Sequence, residues 1–211
     1  MFKLVWEKKF LILFLVLLIA ILPVALTSQP LVLEKGLVTA IGINKVGDEY
    51  QVTCEIFIFA FDPLGAPERK PVTTTAPTVE QAITKIGHNN GRDISFSHCT
   101  VIILGSGLDG ENIDELLYSF FNDPRLNNSC IVIYTQSDIP TLFETSNAQG
   151  DPRSAKLQQI IEYNNRNKKF TSTNLEQFFK DIRRNNKTKV AIINEQDGEL
   201  LNTGLYKEIV I

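Results

Sequence analysis

The sequence predicts an α+β or α/β fold, a mixed β-sheet with packed helices, preceded by one N-terminal transmembrane helix. Three observations carry this. Short runs rich in β-branched and aromatic residues alternate with helical periodicities in the order β-β-α-β-α-β-α. Apolar residues make up 44% of the 211 positions, enough for a sizeable core and too many for a disordered chain. One stretch, Phe10 to Leu26 (FLILFLVLLIAILPVAL), is apolar except for Pro23.

That stretch lies at the short end of what spans a bilayer. Lys3, Lys8 and Lys9 precede it against a single Glu7, so the positive-inside rule places the rest of the chain outside the cytoplasm. A cleaved secretory signal and an uncleaved signal-anchor are the two readings. Cleavage wants small residues at −3 and −1, which Ala25-Leu26-Thr27 only approximates, and this favours the anchor. Removing three lysines and one glutamate from a formal charge of −3 leaves an acidic exported part of −5. An acidic domain offers no electrostatic reason to bind nucleic acid.

Gly36–Ile43 and Tyr50–Phe61 read as two strands of a hairpin joined by a longer polar loop, Asn44 to Glu49. In the second, Val52, Cys54, Ile56 and Ile58 alternate with Phe57, Phe59 and Phe61, which predicts a central strand buried on both faces. Asp62 to Pro77 carries four prolines and reads as an exposed excursion. Thr78-Val79-Glu80-Gln81 is a capping box opening a helix with Val79, Ala82, Ile83 and Ile86 on one face. His98–Leu104 is a strand. Glu111–Asn122 is a helix with Ile113, Leu116, Leu117, Phe120 and Phe121 on one stripe, and Cys130–Thr135 is the next strand. Asp138 caps a short helix bearing Ile139, Leu142 and Phe143.

Asn147–Arg153 reads as a linker, with Gly150 and Pro152. Beyond it come helices over Ala155–Asn165 and Asn174–Arg184, the second opened by a capping box at Thr173 and Glu176, then strands over Lys189–Ile193 and Leu200–Ile211. The expected organisation is therefore a signal-anchor or signal sequence over 1–28, an N-terminal α/β domain over 29–150, and a helical extension over 151–211. That extension is expected to open a second, truncated domain.

No catalytic constellation emerges. His98 and Cys99, adjacent in a predicted strand, point to opposite faces and cannot converge on a metal or form a thiolate–imidazole pair. Cys54, Cys99 and Cys130 sit among apolar neighbours, where cysteine acts as a small hydrophobe. Gly105-Ser106-Gly107 follows a strand but lacks the Lys-Ser/Thr of a phosphate-binding loop, and fits neither GxSxG nor GxGxxG. The expectation is no catalytic residue, no cofactor and no metal.

One charge feature stands out. Residues 166–189 hold eight Lys and Arg (Arg166, Lys168, Lys169, Lys180, Arg183, Arg184, Lys187, Lys189) against Glu176 and Asp181. A solvated helix face accounts for most such runs. The functional alternative is contact with anionic lipid or an acidic partner through Arg166, Lys168, Lys169, Arg183, Arg184 and Lys187.

The ordered motifs resemble the Ger(x)C-type spore germination proteins, the C subunits of nutrient germinant receptors. Glu34–Lys45 (EKGLVTAIGINK) is similar to the family's opening segment, and Tyr50-Gln51-Val52-Thr53 to the strand after it. Ser97–Gly105 (SHCTVIILG), Asn122–Leu126 (NDPRL) with Cys130–Thr135, and Thr203–Lys207 (TGLYK) resemble three further family elements in order. Family members are typically lipoproteins that continue into a further domain. Here no cysteine follows the apolar run, and the chain stops at Ile211. The resemblance implies a non-enzymatic, membrane-tethered subunit acting beside membrane-embedded receptor subunits at the spore's inner membrane. A stand-alone anchored binding module of the cell envelope is the alternative.

Overall fold

The computed structural model describes residues 35–58, 68–122, 126–144, 153–167, 172–196 and 199–210. Phe10–Leu26, Phe59 and Phe61 lie outside them. Among the described residues no helix is long and apolar enough to cross a membrane.

Among the described residues nine strands form one mixed sheet: β1 (Lys35–Val46), β2 (Glu49–Ile58), β3 (Glu68–Ala76), β4 (Asp93–Ser95), β5 (Val101–Gly105), β6 (Ile131–Thr135), β7 (Thr173–Asn174), β8 (Lys187–Gln196) and β9 (Glu199–Val210). The main path runs β3-β2-β1-β5-β6-β8-β9, with short β4 on β1 and β7 on β6. Strands β1, β5, β6 and β8 are parallel, while β2, β3 and β9 run antiparallel to their neighbours.

The central strands are buried on both faces, which is why they read as unbroken apolar runs. Ile102, Leu104 and Val132 join one core with helices α1 (Val79–Asn90), α2 (Ile113–Phe121) and α5 (Leu175–Asn185). Val101, Ile103 and Ile133 join the other with α3 (Ile139–Glu144) and α4 (Arg153–Arg166). The sheet therefore lies between two helical layers.

Several expectations are corrected. The hairpin loop is shorter than expected, because Val46 pairs with Glu49 around Gly47 and Asp48. Gly47 takes φ +63°, a left-handed value that glycine adopts without steric cost. The proline-rich excursion contains strand β3, and Pro71 is tolerated because β3 is an edge strand. The second face of β2 carries Thr53 and Glu55, both buried, rather than apolar side chains alone. His98 and Cys99 both precede β5, His98 exposed in a turn and Cys99 buried, so neither lies in the strand expected to hold them.

Thr78 caps α1 as expected, its hydroxyl accepting from the Gln81 N–H at 3.3 Å. The cap of α5 is displaced by one residue. Asn174 accepts from Gln177 N–H at 2.8 Å, while the hydroxyl of Thr173, in β7, donates to the Lys189 carbonyl of β8. Residues 35–211 form one compact unit. The segment expected to open a second domain adds β7, β8 and β9 to this same sheet and packs α4 and α5 against it. A parallel β6–β8 pair requires a long crossover, and a polar stretch within a crossover resembles a linker in sequence.

Candidate functional site

In open α/β sheets, ligand sites gather beyond the carboxyl ends of the parallel strands. Here that edge is a network built around the turn following β5. Asn44, near the end of β1, accepts from the Gly107 N–H at 2.9 Å. A Cβ on Gly107 would overlap the Lys45 carbonyl oxygen, and one on Gly105 would overlap the Asn44 amide, so both glycines serve close backbone approach. Asn194, on β8, accepts from the Gln136 N–H at 2.9 Å and so holds the turn after β6 in the same way.

The turn presents two carboxylates, each taken up by a lysine and a tyrosine. Glu111 pairs with Lys45 Nζ at 2.6 Å and accepts from the Tyr50 hydroxyl at 3.1 Å. Asp109 pairs with Lys207 Nζ at 2.8 Å and accepts from the Tyr134 hydroxyl at 3.2 Å. Each lysine also lies over the ring of its tyrosine, at 5.6 Å for Tyr50 and 4.9 Å for Tyr134. The hydrogen bond to Glu111 raises the pKa of Lys45, and the same bond lowers that of Glu111. Burial first and Glu111 second raise Tyr50, while burial and then the charge of Asp109 raise Tyr134. The result is a loop fastened on two sides, to β1–β2 and to β6–β9.

An open cleft of about 320 Å³ beside it is lined by Tyr50, Thr78, Glu80, Glu111, Asn112 and Glu115. Among the described residues that line it, no nucleophile is paired with a base. Ser106 is exposed at the carboxyl end of β5, whereas His98 precedes the opposite end. Among the described residues no three His, Cys, Asp or Glu side chains are grouped to hold a metal ion.

The second polar centre is buried. A bulge between Val38 and Ala40 aims the Thr39 hydroxyl at Glu55, to which it donates at 2.7 Å. Glu55 is 0% exposed and pairs with Arg69. It also accepts from the backbone N–H groups of Arg153 at 2.7 Å and Ser154 at 3.1 Å, and so supplies the anion at the start of α4. The two arginines bind the last carbonyls of α3: Arg69 donates to Phe143 at 2.6 Å and Arg153 to Leu142 at 3.0 Å. Burial alone would raise Glu55, but the hydrogen bonds from Ser154 and Thr39 and the charge of Arg69 hold its pKa below the ordinary carboxylate value. In sequence the only sign of this centre was a lone glutamate in an apolar strand.

The predicted contact residues are not gathered on one face. Arg166 is exposed at the end of α4, on one side of the sheet, while Arg183 and Arg184 are exposed in the last turn of α5, on the other. Lys187 opens β8 and pairs with Glu208 at 3.0 Å. Lys168 and Lys169 lie outside the described residues. All three cysteines are buried.

The family model for the spore germination protein N-terminal domain matches residues 32–195, from just before β1 to the penultimate residue of β8. No curated protein and no solved structure gives a significant match. On the strength of a match that covers most of the sheet and both helical layers, the chain belongs to the family of the spore germination protein N-terminal domain.

Proposed function

We propose that this chain is the extracytoplasmic, membrane-anchored subunit of a spore nutrient germinant receptor, of the C-subunit type, and acts without catalysis of its own. The observation that carries the reading is the family match over residues 32–195. The apolar run Phe10–Leu26 with its lysine-rich leading flank supplies the anchor and the outward orientation. The partners are membrane-embedded receptor subunits, and the location is the spore inner membrane. The polar groups support a contact role, because the carboxylates at the sheet edge and in the core are held by cations and hydroxyls of the same fold. The basic end of α5, with Arg183, Arg184 and Lys187, is the contact surface we assign to lipid headgroups or an acidic partner.

A tagged chain purified from sporulating cells should bring down permease-like membrane subunits, and spores lacking it should fail to germinate on nutrients. Normal germination by such spores, or a chain present only in vegetative cells, would sink the proposal. Liposome flotation with and without phosphatidylglycerol tests the contact surface separately, since indifferent binding removes the lipid role alone.

A further inference from the structure

Two of the three cysteines stand where adjacent parallel strands begin. Cys99 closes the turn before β5, its N–H donating to the Phe96 carbonyl at 2.9 Å. Cys130 closes the turn before β6, its N–H donating to Asn127 at 2.9 Å. Val101 pairs with Ile131, and the Ile131 N–H donates to the Thr100 carbonyl at 2.8 Å, so the two turns deliver the cysteines side by side. Continued one residue back, that register sets Thr100 opposite Cys130 and leaves Cys99 diagonal to it, with the two cysteine Cα atoms on the order of 6 Å apart, inside the range a disulfide spans. The Cys130 Sγ lies 2.7 Å from the Cys99 carbonyl oxygen, and the Cys99 Sγ 3.6 Å from that of Val101. The neighbouring Cys130 thiol first, and burial second, raise the pKa of Cys99. Cys54, on β2, is set apart from β5 by the intervening strand β1.

We propose that Cys99 and Cys130 are a disulfide-forming pair that closes when the domain meets a small-molecule disulfide. The Cys130 thiolate attacks one sulfur of that reagent, forming a mixed disulfide and releasing one thiolate. Cys99, deprotonated, then attacks the Cys130 sulfur and expels the second thiolate. Two protein thiols are oxidised to one disulfide, and the reagent is reduced to two thiols. The neighbouring Cys99 thiol favours the thiolate on Cys130, which suits Cys130 to the first step. Both residues are nearly fully buried, at 2% and 1% exposure, so closure proceeds through local opening of the two turns. The bond would staple the starts of β5 and β6 across α2, and an extracytoplasmic compartment would preserve it. The inference does not depend on the receptor reading.

The test uses the full chain in detergent, incubated with oxidised glutathione without denaturant, then unfolded and alkylated. Closure predicts a mass loss of about 2 Da before alkylation, a Cys99–Cys130 cross-linked peptide, and Cys54 as the alkylated thiol. The thermal midpoint should rise by about 5–15 °C. Cys54→Ala should keep the cross-link and Cys130→Ser should abolish it. Alkylation of all three cysteines, a glutathione adduct that never resolves, or a cross-link through Cys54 would overturn the proposal. The wild-type peptide map decides the matter even if a variant fails to fold.

Discussion

Replacing Glu55 with glutamine removes one charge and leaves the side-chain shape intact. Glu55 receives four donors: the Thr39 hydroxyl, the Arg69 guanidinium, and the N–H groups of Arg153 and Ser154. The amide keeps one acceptor oxygen and turns an NH₂ group toward donors it cannot satisfy. Arg69, with a side chain only 11% exposed, loses its counter-ion. Breaking such a buried pair costs about 3–5 kcal/mol. Losing the anion at the start of α4 is part of that figure and is not added to it. With a urea m-value of about 2 kcal/mol/M, the midpoint should fall by about 1.5–2.5 M. The pH dependence has a definite sign. Glu55 is held below its unfolded pKa, so its contribution is complete above the unfolded value near 4.5 and is lost as pH falls through the lower folded value. Urea titrations of wild type and Glu55→Gln at pH 7 and pH 4 should therefore converge on acidification. A loss below about 1 kcal/mol at pH 7, or curves that stay parallel with pH, would refute the assignment of Glu55 as a charged, buried keystone.

Three further substitutions probe separate parts of the fold. Gly107→Ala sets a methyl group against the Lys45 carbonyl and should cost about 1–3 kcal/mol by thermal denaturation, with Asn112→Ala on the same turn as a mild control. Asn174→Ala removes the cap of α5 and should lower stability by about 1 kcal/mol, readable as a urea midpoint shift. Phe178→Ala empties a 0% exposed site where α5 meets the sheet, and should cost about 3–5 kcal/mol in the same assay.

What could be read in the sequence was whatever rests on periodicity and short-range chemistry. Strands β5 and β6 showed because parallel strands buried on both faces read as unbroken apolar runs, and α5 showed because Leu175, Phe178, Phe179 and Ile182 recur at helical spacing. The tight turn at Gly47-Asp48 leaves only a Gly-Asp signal, which sits inside a polar run that reads as a longer loop. Strand β3 was hidden by its prolines, although Thr73, Thr74 and Thr75 are good strand formers; whether a proline is tolerated depends on being at an edge, and that is a property of the sheet. The buried centre was out of reach for a similar reason. Glu55, Arg69 and Arg153 are far apart in the chain, and nothing local links a glutamate on β2 to the start of α4. The clasps at Asp109 and Glu111 likewise draw Lys45, Tyr50, Tyr134 and Lys207 from four strands or their ends.

Both polar centres share a design that bears on function. Each ties elements that sequence leaves far apart: Glu55 joins β1, β2, β3 and α4, and the Asp109–Glu111 turn joins β1–β2 to β6–β9. A carboxylate held by a lysine and a tyrosine, or by an arginine and two backbone donors, is poorly placed to move protons for a substrate and well placed to hold a connection. If so, a germination defect in Glu55→Gln spores should follow the folded fraction of the protein. With a domain stability of about 5–15 kcal/mol, a loss of about 4 kcal/mol leaves the variant mostly folded at low temperature and increasingly unfolded on warming. Spores carrying it should therefore germinate normally at 20 °C and fail at 42 °C, in step with subunit abundance. A defect of equal size at both temperatures with undiminished abundance would give Glu55 a direct part in signalling and would contradict the architectural reading.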